Sequence, residues 1–447
     1  MSTRGVIRLA VASGLARMVV AILWGPSFSN DADRYTQLTG GGVDIDWTGS
    51  LGSPAPLTQI VWHLPHDLAI AVQSIVAGFA WGLLAVVIAS LAKRWRWARP
   101  TAYFTIAVTW TPMLLTFDAM PLTDSLALAG ASLVLSVTID RFVADQPVMS
   151  RRIADVLAIS GVLMSVASRP VNVIALAPLA FMTVVWFGSG PASRRVLTGS
   201  ALGVVSLYAI LLVANSETGT NEENRAQNRL AMRASAEYLA AASAMGMPEC
   251  SSPSPEDLIR GAEASYTRIG FGPLQQQLIL PGDQDARDEA LRAVKKADCP
   301  ELHLWTSSGG FDTLGPVWRA PATHLRLFYL DQVGLLTPYS HDERLPIGLR
   351  LVDPVLWLTA STLAAAVVAR RWARRLIGRR PRLGWRRPRA VVGLVTACSW
   401  SLHEIVNWLA DPLDMARHFL PVTTMLPFLL VALTLDSERS VARSRIA

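Results

Sequence analysis

The chain has 447 residues, of which 51% are hydrophobic and only 17% charged, and its mean hydropathy is +0.33. A soluble domain carries about 25% charged residues; the deficit is concentrated in long apolar runs, which excludes a soluble enzyme and indicates a protein of the bilayer. The net charge of +7 and the pI near 9.7 would suit nucleic acid, but the Arg residues sit in short loops between apolar segments, which excludes nucleic acid as the partner.

Apolar runs of roughly 17–25 residues are candidate membrane spans. Ten are read in chain order: 6–24, 68–92, 101–118, 121–142, 153–168, 171–187, 196–214, 351–369, 390–409 and 419–435. The expected fold is therefore all-α, a polytopic bundle of about ten transmembrane helices. The first run carries Arg8 and Arg17, lacks a small-residue cleavage signal, and reads as a retained span. The fifth and sixth are short and meet at Arg169-Pro170, which suits a broken or re-entrant pair.

Lys and Arg in short loops set the orientation. One set of loops holds Arg4 and Arg8; Lys93, Arg94, Arg96 and Arg99; Arg141, Arg151 and Arg152; Arg194 and Arg195; ten Arg between 370 and 389; and Arg439, Arg443 and Arg445. The opposite short loops hold only Arg34, Arg169 and Arg417. Both termini are expected in the cytoplasm of a cell (inner or plasma) membrane, with residues 215–350 outside. The basic stretch 370–389 reads as an anchor on anionic lipid.

The organisation follows as an N-terminal membrane module, 1–214, with an outer loop at 25–67; an extracytoplasmic helical loop region, 215–350; and a C-terminal membrane module, 351–447. Within the loop region, 222–245 and 284–297 read as helices, and Trp305, Phe311, Trp318, Phe328 and Tyr329 suit the membrane interface. Cys250 and Cys299 share this region and could form a disulfide if it faces an oxidising compartment. Cys398, inside an apolar run, reads as a small packing residue.

Four polar groups fall on the expected outer face, each with a structural alternative. Asn30-Asp31-Ala32-Asp33-Arg34-Tyr35 follows the first span, and Asp31 or Asp33 could equally cap a helix. Thr123-Asp124-Ser125, with Asp118 nearby, opens the fourth span and could be its cap. Arg169 lies where two short spans meet, and is costly there unless it is paired, reaches a phosphate or snorkels. Arg417-His418 opens the last span and could be an interfacial anchor. Together, acids and guanidinium groups on one face suit a phosphate-bearing substrate and a proton to be removed, since Arg grips phosphate oxygens and a carboxylate can accept the proton of an attacking hydroxyl. His403-Glu404 within a span lacks the second His of a zincin helix and reads as a polar contact inside the bundle.

On these motifs the membrane part, roughly 1–214 and 351–435, resembles the GT-C superfamily of membrane glycosyltransferases. Its members use polyprenyl-phosphate sugars and include protein O-mannosyltransferases, lipid A aminoarabinose transferases and actinobacterial mannosyl- and arabinosyltransferases. The family's acidic motif in the first outer loop is similar to Asp31-Ala32-Asp33-Arg34-Tyr35, its second acid to Asp124, its Arg-Pro to Arg169-Pro170, and its Arg-aromatic-x-x-Pro to Arg417-His418-Phe419-Leu420-Pro421. The first motif departs at Asp33, where the family often has Glu directly after the first Asp, and the last at His418, where Tyr is commoner.

The resemblance implies inverting transfer of a sugar, mannose or arabinose being the expected donors, from a polyprenyl-phosphate lipid to an extracytoplasmic glycan, lipid or protein acceptor. Asp31 would be the base, Asp33 its alternative, and Asp124 the residue that orients the acceptor or helps hold a divalent cation such as Mg or Mn. Arg169 and Arg417, with His418, would neutralise the departing phosphate, supported by Arg34 and Tyr35. Two other functions fit the same pattern: a transporter or flippase of a lipid-linked or anionic solute, and a polymerase or ligase of surface glycans.

Overall fold

A computed structural model describes residues 3–26, 55–93, 98–110, 112–120, 123–142, 144, 147–186, 191–219, 391–396, 398–399 and 402–403. The chain divides into two compact units, and the description below concerns the one formed by Met1–Thr218, Ser340–His403 and Leu420–Ala447. Every regular element among the described residues is helical, and none of these residues is in a strand. In order they are α1 (Thr3–Trp24), α2 (Pro56–Trp62), α3 (His66–Ser90), α4 (Ala98–Thr109), α5 (Pro112–Asp118), α6 (Asp124–Phe142), α7 (Arg151–Ser168), α8 (Val173–Phe181) and α9 (Ala192–Gly219). A 3-10 turn, Pro170–Asn172, joins α7 to α8, and a π-helical turn, Met182–Trp186, follows α8.

Among the described residues, four segments are long and apolar enough to cross a membrane: Arg4–Trp24, His66–Ser90, Asp124–Phe142 and Ala192–Leu212. They match the sequence-read spans 6–24, 68–92, 121–142 and 196–214 to within a few residues. On α1, Leu9, Leu15 and Leu23 are exposed, as are Val196, Leu197 and Leu207 on α9. Such side chains cost nothing against hydrocarbon.

α6 is the central helix. Every residue of it except Arg141 is buried, and it packs against α3 on one side and α7 on the other. Small residues bring the backbones together. A Cβ added to Gly130 of α6 would overlap the carbonyl oxygen of Gly161 on α7, and one on Gly161 would lie 2.7 Å from the carbonyl oxygen of Gly130. α1 and α3 run antiparallel along a similar seam, where a Cβ on Gly78 would meet the Ser13 carbonyl oxygen at 2.8 Å and one on Gly82 would meet the Ser13 Cβ at 2.7 Å. In lipid, where burying apolar surface gives no drive to association, such close approach is a main source of helix–helix attraction.

The apolar run 101–118 is not a single helix, which corrects the expectation of one span there. It is α4 and α5, separated around Trp110. Pro112 opens α5; proline has no N–H to donate, and it disfavours helical geometry in the residue before it. A second difference is α2, which lies inside the stretch read as an outer loop. This seven-residue helix is buried. Its Val61 and Trp62 join Ala21, Ala69, Ile70 and Leu126 in one apolar cluster. Cys398 is exposed, so it is not the internal packing residue expected. A small thiol on an outward face of an apolar helix is compatible with a lipid neighbour.

The two ends of α6 are polar in different ways. At its C-terminal end, Asp140 accepts from the backbone N–H groups of Val148 (2.7 Å) and Met149 (3.3 Å), which folds the connection onto α7. Arg194 at the start of α9 pairs with Asp155 of α7 at that same end. The N-terminal end holds the groups described next.

Candidate functional site

The turn between α5 and α6 is held from three sides. Gln73 of α3 donates to the carbonyl oxygens of Phe117 (2.7 Å) and Met120 (3.1 Å), and its own Oε1 accepts from the Trp62 indole N–H at 3.1 Å. These carbonyls lie in the last turn of α5 and just beyond it, where no further helical turn supplies N–H groups to donate to them. Gln73 therefore replaces the missing backbone partners.

On the second side stands Arg17 of α1, which is 1% exposed. Its Nε pairs with Asp118, the last residue of α5, and its Nη2 donates to the Leu114 carbonyl oxygen at 2.9 Å. Asp118 also accepts from the Ser125 hydroxyl at 2.5 Å. One carboxylate thus links α1, α5 and α6.

Arg169 closes the third side. α7 ends at Ser168, and Arg169 takes an extended backbone conformation (φ −143°, ψ 96°) before the 3-10 turn. That break turns the side chain back onto the start of α6. Its Nη2 lies 3.0 Å from a carboxylate oxygen of Asp124, and its Nε donates to the Thr123 hydroxyl at 3.0 Å. Asp124 is wholly buried and Arg169 is 6% exposed. The snorkelling alternative for Arg169 is thereby overturned. A guanidinium in apolar surroundings stays where it has a counter-ion and several acceptors.

One turn along the same α6–α7 contact runs a neutral polar chain. Ser165 donates to the Ala127 carbonyl oxygen at 3.1 Å, Asn172 donates to Ser165 at 3.0 Å, and His403 Nε2 lies 3.1 Å from Asn172 Oδ1. Ser165, Asn172 and His403 are all buried. The sequence reading of His403 as a polar contact within the bundle agrees with this. Ser168, beside Arg169, is buried too, and its hydroxyl has no hydrogen-bond partner among the described residues.

Of the residues singled out in the sequence, Asp124 and Arg169 are brought together, and Asp118 lies in the adjoining network. Asp31, Asp33, Arg34, Tyr35, Glu404, Arg417 and His418 lie outside the described residues, as do Cys250 and Cys299. Arg17, Gln73, Asn172 and Ser165 were missed as members of the site. Arg17 alone had a signal, being a charge in the middle of an apolar run.

Among the described residues no three His, Cys, Asp or Glu side chains gather as metal ligands do. The described donor set at this end, a carboxylate held by a guanidinium, does not fit a divalent cation. The site can pair an anion with guanidinium and hold a polar group against a carboxylate in dry surroundings. Comparisons with protein families, with curated proteins and with solved structures find no match to this chain.

Proposed function

We propose that this protein is a GT-C-like membrane glycosyltransferase that moves a sugar from a polyprenyl-phosphate donor to an acceptor hydroxyl outside the cell membrane, with inversion at the anomeric carbon. The observation that carries the reading is the Asp124–Arg169 pair, in which an acid and an arginine from two separate motifs meet, buried, at one end of the central helix. Charged residues inside a membrane bundle are expensive, and their usual use is at a substrate pathway or reaction centre. The Ser168 hydroxyl, buried beside this pair with no partner among the described residues, adds a group that a polar substrate can satisfy.

The orientation belongs to the same proposal. Arg151, Arg152, Arg194 and Arg195 cluster at the opposite end of α6, α7 and α9. By the positive-inside rule that end is cytoplasmic, and the Asp124 end faces outward. On this reading the bundle has about ten spans, three of them among 351–435.

In the reaction, the acceptor oxygen attacks the anomeric carbon as the bond from that carbon to the phosphate oxygen breaks, and the phosphate leaves with the bonding electrons. The acceptor's proton passes to a carboxylate, Asp31 or else Asp33. Asp124 orients the acceptor. Arg169 and Arg417, with His418, meet the charge on the departing phosphate, and Arg34 and Tyr35 support the loop. Phosphate is already a good leaving group, so alignment and charge stabilisation do most of the work.

The test is transfer in membranes from a polyprenyl-phosphate sugar by wild-type protein and by Asp124→Asn, Arg169→Leu and Asp31→Asn. Loss of transfer in all three, with the proteins still inserted, is the expected outcome. Wild-type rates in the Asp124 and Arg169 variants would end the assignment.

A second reading has one observation behind it. The Arg17–Asp118 pair lies within the helices, and transporters and flippases place paired charges there. Purified protein in liposomes separates the two: translocation of the lipid-linked sugar without chemical change favours the transporter, while transfer to an added acceptor favours the enzyme. Mono- against oligosaccharide-linked donors separate the glycosyltransferase from a glycan polymerase.

A further inference from the structure

The chain Ala127–Ser165–Asn172–His403 makes no direct contact of its own with Asp124, yet it lies directly alongside the Asp124–Arg169 pair. Ala127 is three residues after Asp124 on α6, and Ser165 is four residues before Arg169 at the end of α7. Residues so spaced share a helix face. The ion pair and the Ser165 hydrogen bond are thus two neighbouring rungs between the same helices. A third contact ties them together, since the Asn172 backbone N–H donates to the Arg169 carbonyl oxygen at 3.0 Å. Asn172 therefore holds the backbone of Arg169 and the rung below it at once.

Chemistry sets the direction of every bond in the chain. Ser165 has one proton and gives it to the Ala127 carbonyl. Its oxygen then accepts from the amide nitrogen of Asn172. That leaves Oδ1 of Asn172, which can only accept, facing His403 Nε2. The imidazole must carry a hydrogen on Nε2. His403 is thus the donor at the head of a one-way chain, reaching across 231 residues of sequence to the turn that orients Arg169.

We propose that His403 is a positioning residue for the Asp124–Arg169 site, acting through Asn172 on the backbone of Arg169 and touching no substrate. It makes the guanidinium's placement in the N-terminal half of the chain conditional on the segment 391–403. The inference rests on the reading of that pair as the phosphate-binding site, and the experiment has one arm that does not.

The full-length protein is reconstituted in nanodiscs and binding of undecaprenyl phosphate is measured. His403→Gln keeps an N–H donor of similar reach and is expected to bind within about twofold of wild type. His403→Leu removes it and is expected to bind about tenfold more weakly, equivalent to about 1.4 kcal/mol. Adding Asn172→Leu to His403→Leu is expected to weaken binding little further, because both act through one chain. Equal binding by His403→Leu and wild type, equal loss in the Gln and Leu variants, or effects that simply add would each overturn the proposal.

The second arm needs no ligand activity. In protein with ¹⁵N-labelled histidine, the resonance that His403→Gln deletes is expected to report a ring protonated at Nε2, and Asn172→Leu is expected to shift it. A ring protonated only at Nδ1, or one indifferent to Asn172→Leu, overturns the proposal. If wild type fails to bind the lipid phosphate, the functional reading falls, and this arm still decides whether His403 is wired to the Arg169 turn.

Discussion

Arg17 and Arg169 are both buried, both paired with an aspartate and both near the end of the bundle where α6 begins, but the backbone beneath them differs. Arg17 sits in an uninterrupted helix, and its partners, Asp118 and the Leu114 carbonyl, come from the end of a neighbouring one. Arg169 sits at a break, extended between α7 and a 3-10 turn. Irregular backbone within a membrane bundle is tolerated where it is buried in protein or lines a cavity. A charge on a regular helix is held in place by that helix, whereas one at a break can be re-aimed by small changes in two or three dihedrals. Under the proposed function, Arg17–Asp118 is the pin and Arg169–Asp124 the site.

The sharpest way to break that contrast is to orphan the pin. Asp118→Leu leaves the Arg17 guanidinium buried without its counter-ion, and the expected loss is about 3–5 kcal/mol of stability, read by unfolding in detergent. The double variant Arg17→Met with Asp118→Leu should recover most of it, since an apolar pair of similar volume replaces the ions. A single variant as stable as wild type would show that Arg17 pins nothing.

Asp124→Asn comes next. It keeps shape and an acceptor for Arg169, so its unfolding midpoint should move less than that of Asp118→Leu, while sugar transfer should fall by about 10²-fold. A large stability loss with transfer per folded molecule unchanged would reverse the roles of the two pairs.

Smaller effects sharpen the frame that carries both. Gly130→Ala forces α6 and α7 apart at their tightest point and should cost about 1–3 kcal/mol in the same unfolding assay. Gly203→Ala, with nothing among the described residues within 4 Å of the added Cβ, should instead stabilise α9 by up to about 1 kcal/mol. An effect of similar size is expected from Ser125→Ala, which removes one hydrogen bond to Asp118 and should cost about 1 kcal/mol.

Long apolar runs made α1, α3, α6 and α9 legible from sequence, because a bilayer demands length and hydropathy before anything else. What depends on shorter signals was lost. α2 has seven residues, too few for a period to show, and its burial comes from Trp62 docking on Gln73. The break at Pro112 lies inside a run whose hydropathy is continuous, so the average hid the missing N–H. At the site, Asp124 and Arg169 stood out as charges at the ends of apolar runs, and they do meet. Their meeting depends on the extended Arg169 backbone, which Pro170 makes intelligible only afterwards, since the residue before a proline avoids helical geometry. The Arg17–Asp118 pair and the His403–Asn172 contact join residues 101 and 231 positions apart. No local pattern carries such pairings; only the packed bundle does.

The burial of Arg17 also has a consequence for biosynthesis. α1 carries a guanidinium whose counter-ion is made 101 residues later, and at about 5–20 residues per second the ribosome needs roughly 5–20 s to reach it. An unpaired Arg near the middle of a span costs about 2.5–3.5 kcal/mol during insertion. On this arithmetic α1 settles only after Asp118 has followed it. Until Asp118 arrives it must linger at the translocon, ride high in the headgroups, or be sheltered by a chaperone, and a nascent chain stalled before residue 118 should be prone to slip out of the membrane.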